Sequence, residues 1–501
     1  MFSSGFRGFL ALLFLLIQIS LVAFIYNYFV DQIEIIKILY SFFCLYFILM
    51  IIKNSKNYSF TLPWILIFMV VPIPASILYL VIGSNKRRSK VLKNIVKEEK
   101  NKKKYFVQDE NLNKECSNNS SINYITNYSG YPVSDNNDVE YYPLGEIAFE
   151  HMISELKKAE KFIFMEYFIV NHGKMWNSIL EVLEQKVKEG VEVRVMYDDL
   201  GCLTTLDTAY PKTLESKGIK CVSFNRLKVF AGVIMNNRDH RKILVIDGKV
   251  AFSGGINIAD EYINIGSKYG HWKDNGIKIS GDAVWNYTVM FLTMWNACKK
   301  EDNDYLKYKY EFKNKKNNKS KGYVIPYGSS PLENETTGED VYLNIINRAD
   351  KYLYIFTPYL IIDNNMINAL CLAAKRGVDV RIVIPGIPDK KIVYTLSESY
   401  IEPLVKGGVK LYKYTPGFVH AKVFVSDDKV ATVGTINMDY RSLYLHFECG
   451  CYLENVEAIK DIKKDLVKTI DECHLVTKKE ANTGRLKSVG QAILRLFAPL
   501  M

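Results

Sequence analysis

The hydrophobic pattern of this chain changes character twice. Over the first 85 residues it consists of uncharged apolar runs, Gly8 to Val30, Ile38 to Ile52 and Phe60 to Asn85. A helix of about 20 apolar residues is long enough to cross a bilayer's hydrocarbon core. The first run therefore predicts a span, and the second a shorter one with Lys37 able to snorkel from its end. The third contains Pro63, Pro72 and Pro74, so it is not one straight helix. A cleaved signal peptide would have a shorter apolar region closing on small residues; the first run closes on Tyr26-Asn-Tyr-Phe-Val30. Two topologies remain open: a hairpin of spans followed by an interfacial or re-entrant segment, or three full spans.

Residues 105–142 are rich in Asn and Ser and show neither a helical nor a strand period, which predicts a linker. From Tyr142 the pattern alternates between amphipathic helices and short apolar strands, and it does so twice with a period of about 180 residues. Ala148 to Lys161 leads into Phe162-Ile-Phe-Met-Glu166-Tyr-Phe-Ile-Val; Tyr342 to Lys351 leads into Tyr352-Leu-Tyr-Ile-Phe-Thr-Pro-Tyr359. Val187-Lys-Glu-Gly190-Val-Glu-Val-Arg is matched by Ala374-Lys-Arg-Gly377-Val-Asp-Val-Arg, each Gly suiting a left-handed helix cap. Apolar strands alternating with helices predict α/β architecture around buried, largely parallel sheets, in two like halves. The resulting division is a membrane anchor (1–85), a basic juxtamembrane segment and polar linker (86–141), a first half (142–300), a polar insert (301–322), a second half (323–476) and a C-terminal amphipathic helix (477–501). That last helix suits either a membrane surface or simple docking.

Charge sharpens the picture. Of the net +11, the segment 86–104 supplies eight, with ten Lys/Arg against Glu98 and Glu99. A nucleic-acid binder spreads basic surface over its folded domain; a basic block after apolar segments reads as juxtamembrane, and it places the chain beyond residue 86 in the cytoplasm. Nine scattered cysteines, with Cys449-Gly-Cys451 the closest pair, read as reduced thiols with no zinc spacing.

The chemistry lies in a motif present in both halves. His240-Arg-Lys242-Ile-Leu-Val-Ile-Asp247 runs on through Gly254-Gly255 to Asn257; His420-Ala-Lys422-Val-Phe-Val-Ser-Asp427 runs on through Gly434-Thr435 to Asn437. Alternate side chains of a strand share a face, so each His and Lys point the same way. Halves packed about a pseudo-twofold axis would bring the two His, Lys and Asn residues together in a cationic, donor-rich site suited to a phosphodiester. One His attacks phosphorus and forms a phosphohistidine. The other protonates the leaving alkoxide and then deprotonates the incoming hydroxyl. Asp247 and Asp427 suit orienting or charge-balancing roles, completing a catalytic set of His240, Lys242, Asp247, His420, Lys422 and Asp427.

The doubled His-x-Lys-x4-Asp resembles the signature of the phospholipase D superfamily. Asn237-Arg-Asp-His240 to Asn257, Gly417-Phe-Val-His420-Ala-Lys422, and Val433-Gly-Thr-Ile-Asn437-Met-Asp439-Tyr-Arg441-Ser442 ending in Phe447-Glu448 are similar to motifs of bacterial cardiolipin synthases, as are Trp272-Lys-Asp274 and the Arg495 to Leu500 ending. The chain departs from that pattern at His446, where Asn is expected, and at Lys273, where Arg is common. The resemblance implies two phospholipase D-like halves with packed mixed or parallel sheets behind an N-terminal transmembrane region. It implies transfer of a phosphatidyl group between two phosphatidylglycerols with release of glycerol, using neither cofactor nor metal. It also implies membrane phospholipid partners without nucleic acid, and a multi-pass place in the plasma membrane. It assigns His240 as nucleophile and His420 as acid/base. Asn257, Asn437, Glu166, Tyr359, Arg441 and Glu448 become candidates for phosphate, headgroup or supporting contacts. The same core residues serve a phospholipid hydrolase if water resolves the intermediate, and the second lipid stays open.

Overall fold

In the computed structural model the described residues are 34–54, 57–71, 89–226, 236–266, 268–312 and 322–500, with single positions at 20, 24, 28, 75, 76 and 79. The chain divides into two compact units, one holding residues 1–87 and 493–500, the other nearly everything else.

In the first unit a helix covers Glu34–Asn54 and a second Thr61–Val70. Phe47 stacks on Phe68 with ring centroids 5.5 Å apart, and Trp64 meets Tyr79 edge-on at 5.1 Å. Pro63 falls in the first turn of its helix, where the backbone N–H has no intrahelical partner to lose. Among the described residues no helix is long and apolar enough to cross a membrane. The helix Glu34–Asn54 is 21 residues long, and its uncharged stretch Ile38 to Ile52 is bounded in sequence by Lys37 and Lys53. The next helix ends at Val70, and Val71, which precedes Pro72, leaves the helical region at φ −140° and ψ 67°. Apart from single positions, the first predicted span, Gly8 to Val30, lies outside the described residues. Leu39, Phe42, Tyr46 and Leu49 are nonetheless exposed along one helix.

Among the described residues the second unit holds two large sheets and two small two-stranded ones. The first half contributes β1 (Asn137–Tyr142), β2 (Phe162–Tyr167), β3 (Glu192–Asp198), β4 (Lys220–Phe224), β5 (Lys242–Ile246), β6 (Val250–Gly254), β7 (His271–Lys273) and β8 (Gly276–Gly281). The second contributes β9 (Tyr323–Ser329), β10 (Tyr352–Phe356), β11 (Leu360–Ile361), β12 (Asp379–Pro385), β13 (Lys410–Tyr414), β14 (Gly417–Val419), β15 (Val423–Ser426), β16 (Val430–Gly434), β17 (Met438–Asp439), β18 (Glu448–Glu454) and β19 (Cys473–Leu475). The large sheets have the orders β1-β8-β6-β5-β2-β3-β4 and β19-β13-β12-β10-β15-β16-β18-β9; the small ones are β11-β17 and β14-β7. Read from β4 and from β13, the two large sheets repeat one topology. Within them only β2-β3-β4 and β10-β12-β13 run parallel; β5, β6 and β8, like β15, β16 and β18, are antiparallel. The large sheets are therefore mixed, one of the arrangements the resemblance implied, rather than largely parallel as the strand pattern alone predicts. The cause is a tight hairpin after each motif strand, with positive φ at Asp247 and Gly248 in one half and at Asp427 and Asp428 in the other.

Between the sheets runs the helix Val284–Cys298, apolar nearly all round and buried along almost its whole length. Its Thr288 and Thr293 hydroxyls bond back to the Val284 and Val289 carbonyls at 2.9 and 2.7 Å. The segments read as basic and polar connectors are built onto this body. The helix Lys90–Lys102 docks against Val284–Cys298 through Leu92 and Ile95. Its Lys102 is buried and bonded to Tyr131 and Glu333, both at 3.0 Å. The supposed linker carries helices at Glu110–Glu115 and Ser120–Asn123 and ends in β1, paired along its whole length with β8. The supposed insert buries Asp302 against Arg194 at 2.5 Å.

Candidate active site

The two motif histidines sit where each half is stitched to the other. Asp239 bridges Phe447 as a parallel partner, and the His240 N–H donates to the Phe447 carbonyl at 2.9 Å. In the mirror position β14 pairs in parallel with β7, and the His420 N–H donates to the Lys273 carbonyl at 2.7 Å. The carboxylate that meets each imidazole thus comes from the opposite half. His240 Nδ1 lies 2.9 Å from both oxygens of Glu448, at the start of β18. His420 Nδ1 lies 2.6 Å from Asp274, just before β8.

The lysines complete two crossed pairs. Lys242 donates to the His240 carbonyl at 2.6 Å. Lys422 donates to the His420 carbonyl and sits 2.9 and 3.0 Å from the two ring nitrogens of His420. All four side chains are buried. The halves are close enough for the Lys242 charge to depress both His420 and Lys422.

Burial fixes the resting protonation. It pushes His240 down to about 3 despite the pull of Glu448, and His420 down to about 4 with Lys422 adding to the effect. Burial would raise Glu448, but the hydrogen bond and charge of its partners hold it well below the usual carboxylate range. Asp274 is likewise held down against burial by His420 and Lys422. An ionised carboxylate only accepts, so each neutral imidazole donates its Nδ1–H and keeps its lone pair on Nε2. Nε2 of a neutral, oriented imidazole is a nucleophile at neutral pH. Burial also lowers Lys242 to about 8 and Lys422 to about 7, poised to take up an anion's charge.

A family model described as "Cardiolipin synthase, PLD-like domain" matches residues 152–295 and 342–470, enclosing both motifs. A cardiolipin synthase of Clostridium perfringens (strain SM101 / Type A) is 35% identical over 463 residues, covering 89% of this chain and 95% of that protein. The chain belongs to the cardiolipin synthase family of phospholipase D-like proteins. An uncharacterised protein of Streptococcus mutans serotype c is 44% identical over 462 residues, 91% of this chain and 99% of that one. Among solved structures, phosphatidylserine synthase of Haemophilus influenzae Rd KW20 shares the fold with a TM-score of 0.58 at 16% identity, covering 76% of this chain and 98% of that chain.

Within this cardiolipin synthase-family chain the expected residues separate into two groups. Glu448 joins the site, clamped also by the Thr435 hydroxyl. Asn257 accepts from the Ile169 N–H at 3.0 Å and donates to Tyr262 at 2.8 Å, and the Tyr262 ring lies 5.3 Å from that of His420. Asn437 is buried with no hydrogen-bond partner for Oδ1 among the described residues, which leaves capacity for a ligand. Tyr359 bonds Asp389 at 2.6 Å and packs on Phe418 beside His420. The Arg441 carbonyl receives the His446 N–H at 2.8 Å, so Arg441 shapes the turn before Glu448.

Asp247 and Asp427 do not join it. Asp247 accepts the N–H groups of Glu160, Lys161 and Phe162 at 2.7–2.9 Å, and Asp427 those of Asp350, Lys351 and Tyr352 at 2.8–2.9 Å. Five residues of extended chain carry them about 16 Å beyond the lysine, to the far end of the strand. They are turn anchors. Glu166 also leaves the site. It pairs in register with Ile243, so it shares the face of Arg241 rather than that of His240 and Lys242. Burial and the nearby Asp239 push its carboxyl well up, beside Arg241 Nη1 at 3.9 Å.

Sequence reasoning quoted Asp274, Thr435 and Gly255 as motif residues without placing them in the catalytic set, and passed over Tyr262. A Cβ on Gly255 would fall 2.0 Å from Asp274 Oδ1, so that carboxylate fits only against glycine. A signal for the carboxylates was present: Asp274-Asn-Gly276 and Glu448-Cys-Gly450 form an acidic-x-Gly repeat. Its glycines pair across to Gly254 and Gly434 in equivalent registers.

Proposed function

We infer that this chain is a phosphatidyltransferase that makes cardiolipin and free glycerol from two molecules of phosphatidylglycerol. The observation that carries the mechanism is the pair of crossed His–carboxylate dyads, each with its own lysine. In the proposed course, Lys242 and Lys422 neutralise the phosphodiester and Nε2 of His240 attacks phosphorus. The bond from phosphorus to the glycerol oxygen breaks, and the alkoxide takes the proton held between His420 and Lys422, whose nitrogens are 3.0 Å apart. The hydroxyl of a second phosphatidylglycerol then gives its proton to His420 and attacks phosphorus, and the phosphorus–nitrogen bond breaks to restore His240. The phosphohistidine and this division of labour rest on the neutral Nε2 of His240 and on the Lys422 contact to His420.

The reading extends to a place of action. Membrane phospholipid substrates, together with the uncharged runs before residue 86, support a multi-pass bacterial plasma-membrane protein. The juxtamembrane basic segment supports a catalytic unit on the cytoplasmic side. The test is purified full-length protein on phosphatidylglycerol vesicles with products resolved by mass. Cardiolipin and glycerol in equal amounts are expected; phosphatidic acid without cardiolipin would make the protein a hydrolase instead.

A further inference from the structure

His446 stands where relatives of this pattern are expected to carry Asn, and it faces the His240–Glu448 pair. The turn after the helix Tyr440–Tyr444 carries it inward, and its side chain is only 10% exposed. Neither ring nitrogen has a hydrogen-bond partner among the described residues. Ring nitrogens shielded from solvent and without a hydrogen bond call for an explanation. Its ring centroid lies 5.6 Å from that of His240, and its Nδ1 lies 3.7 Å from Glu448 Oε1.

A ring nitrogen of His240, one of His446 and a carboxylate oxygen of Glu448 all lie within 4.8 Å of one another. Two imidazoles and a carboxylate form a three-ligand set of the type that holds zinc with one position open. With metal–ligand bonds of about 2.0–2.2 Å, tetrahedral geometry puts neighbouring donors about 3.3–3.6 Å apart. The 2.9 Å from His240 Nδ1 to Glu448 and the 3.7 Å from His446 Nδ1 to Glu448 bracket that value, and the two imidazole donors lie within 4.8 Å of each other; a metal on Nδ1 of His240 displaces that proton to Nε2. Thr435 already supplies the outer-shell bond that orients a ligating carboxylate. Nitrogen donors favour zinc-class ions over magnesium and calcium, which prefer oxygen.

We propose that His240, His446 and Glu448 form a binding site for a zinc-class dication, which takes the proposed nucleophile and its orienting carboxylate out of use and so makes the enzyme metal-inhibited. The inhibition rests on the proposed role of His240; the binding does not.

The experiment uses full-length protein stripped of metal in detergent. Zn2+ binding is followed by calorimetry, Co2+ binding by its visible absorption, and transfer on phosphatidylglycerol is assayed alongside. Wild type should bind one Zn2+ per chain, lose activity in step with occupancy, and recover it with chelator, while Mg2+ has no such effect. His446→Asn and His446→Gln should each bind at least roughly 10- to 100-fold more weakly, since loss of an outer-shell partner alone costs that much, with a matching shift in the zinc needed to halve each variant's own activity. His420→Asn should bind zinc as wild type does. Absence of zinc binding in folded wild type, or unchanged affinity in both His446 variants, overturns the proposal. Zinc binding in stripped protein with no transferase activity would instead overturn the proposed function and leave the metal site standing.

Discussion

His240 and Glu448 are 208 residues apart in sequence, yet their side chains meet at 2.9 Å across the junction of the two halves. Asp274 repays the exchange by meeting His420 at 2.6 Å. Neither half alone contains an oriented histidine. Inward-facing acid-x-Gly segments of each half complete the motif strand of the other, so the repeat makes one site by crossing over rather than two sites side by side.

Glu448→Gln keeps the shape but loses the charge that holds the His240 tautomer. Its kcat should fall by about 10²–10⁴-fold, the range of a positioned acid–base group. Initial rates on phosphatidylglycerol, with circular dichroism to confirm folding, check it. Asp274→Asn should behave alike, since each carboxylate faces the Nδ1 of its own histidine.

Asp247→Asn should do the opposite. Its carboxylate anchors three backbone N–H groups far from the lysines. Loss of charged hydrogen bonds costs roughly 1.5–3 kcal/mol of stability, while kcat per folded molecule stays near wild type. Thermal melts and active-site-normalised rates separate the two effects. A large loss of kcat without loss of stability would return Asp247 to the chemistry.

The pH profile of kcat/KM reports free-enzyme groups. Lys422 at about 7 and Lys242 at about 8 bind phosphate as ammonium ions, so activity should be present below pH 7 and decline as pH rises through 7 to 8. The histidines, lowered to about 3 and 4, are already neutral at pH 5. No acid limb near 6.5 should arise from them.

Stability carries the companion signature. In the unfolded chain these two histidines titrate near 6.5, so between that value and their folded ones the unfolded state binds more protons. Their contribution should therefore weaken stability as pH falls from 6.5 toward 4. Denaturant melts of the wild type across that window check the slope.

The two halves, the motif strands and the shared face of each His and Lys were legible because local period and repetition encode them. The antiparallel portion was not, since apolar runs read alike in either direction and only the Asp247 and Asp427 turns set it. The roles of those aspartates were misread for the same reason: spacing within a motif says nothing about which end of a strand is the site. The supposed linker looked structureless because its buried groups, such as Tyr105, Ile122, Ile125 and Tyr131, are spread among polar residues without a period. Glu448 was found through resemblance. The role of Asp274 was missed because its partner lies in the other half, which no periodicity argument reaches.

The central claim is that one site needs both halves' histidines. The direct measurement is the cardiolipin-forming rate of His240→Ala and His420→Ala, each purified and shown to be folded, on phosphatidylglycerol vesicles. Each substitution should lower the rate by roughly 1,000-fold or more. Near-wild-type activity in either variant would contradict the twin-histidine site.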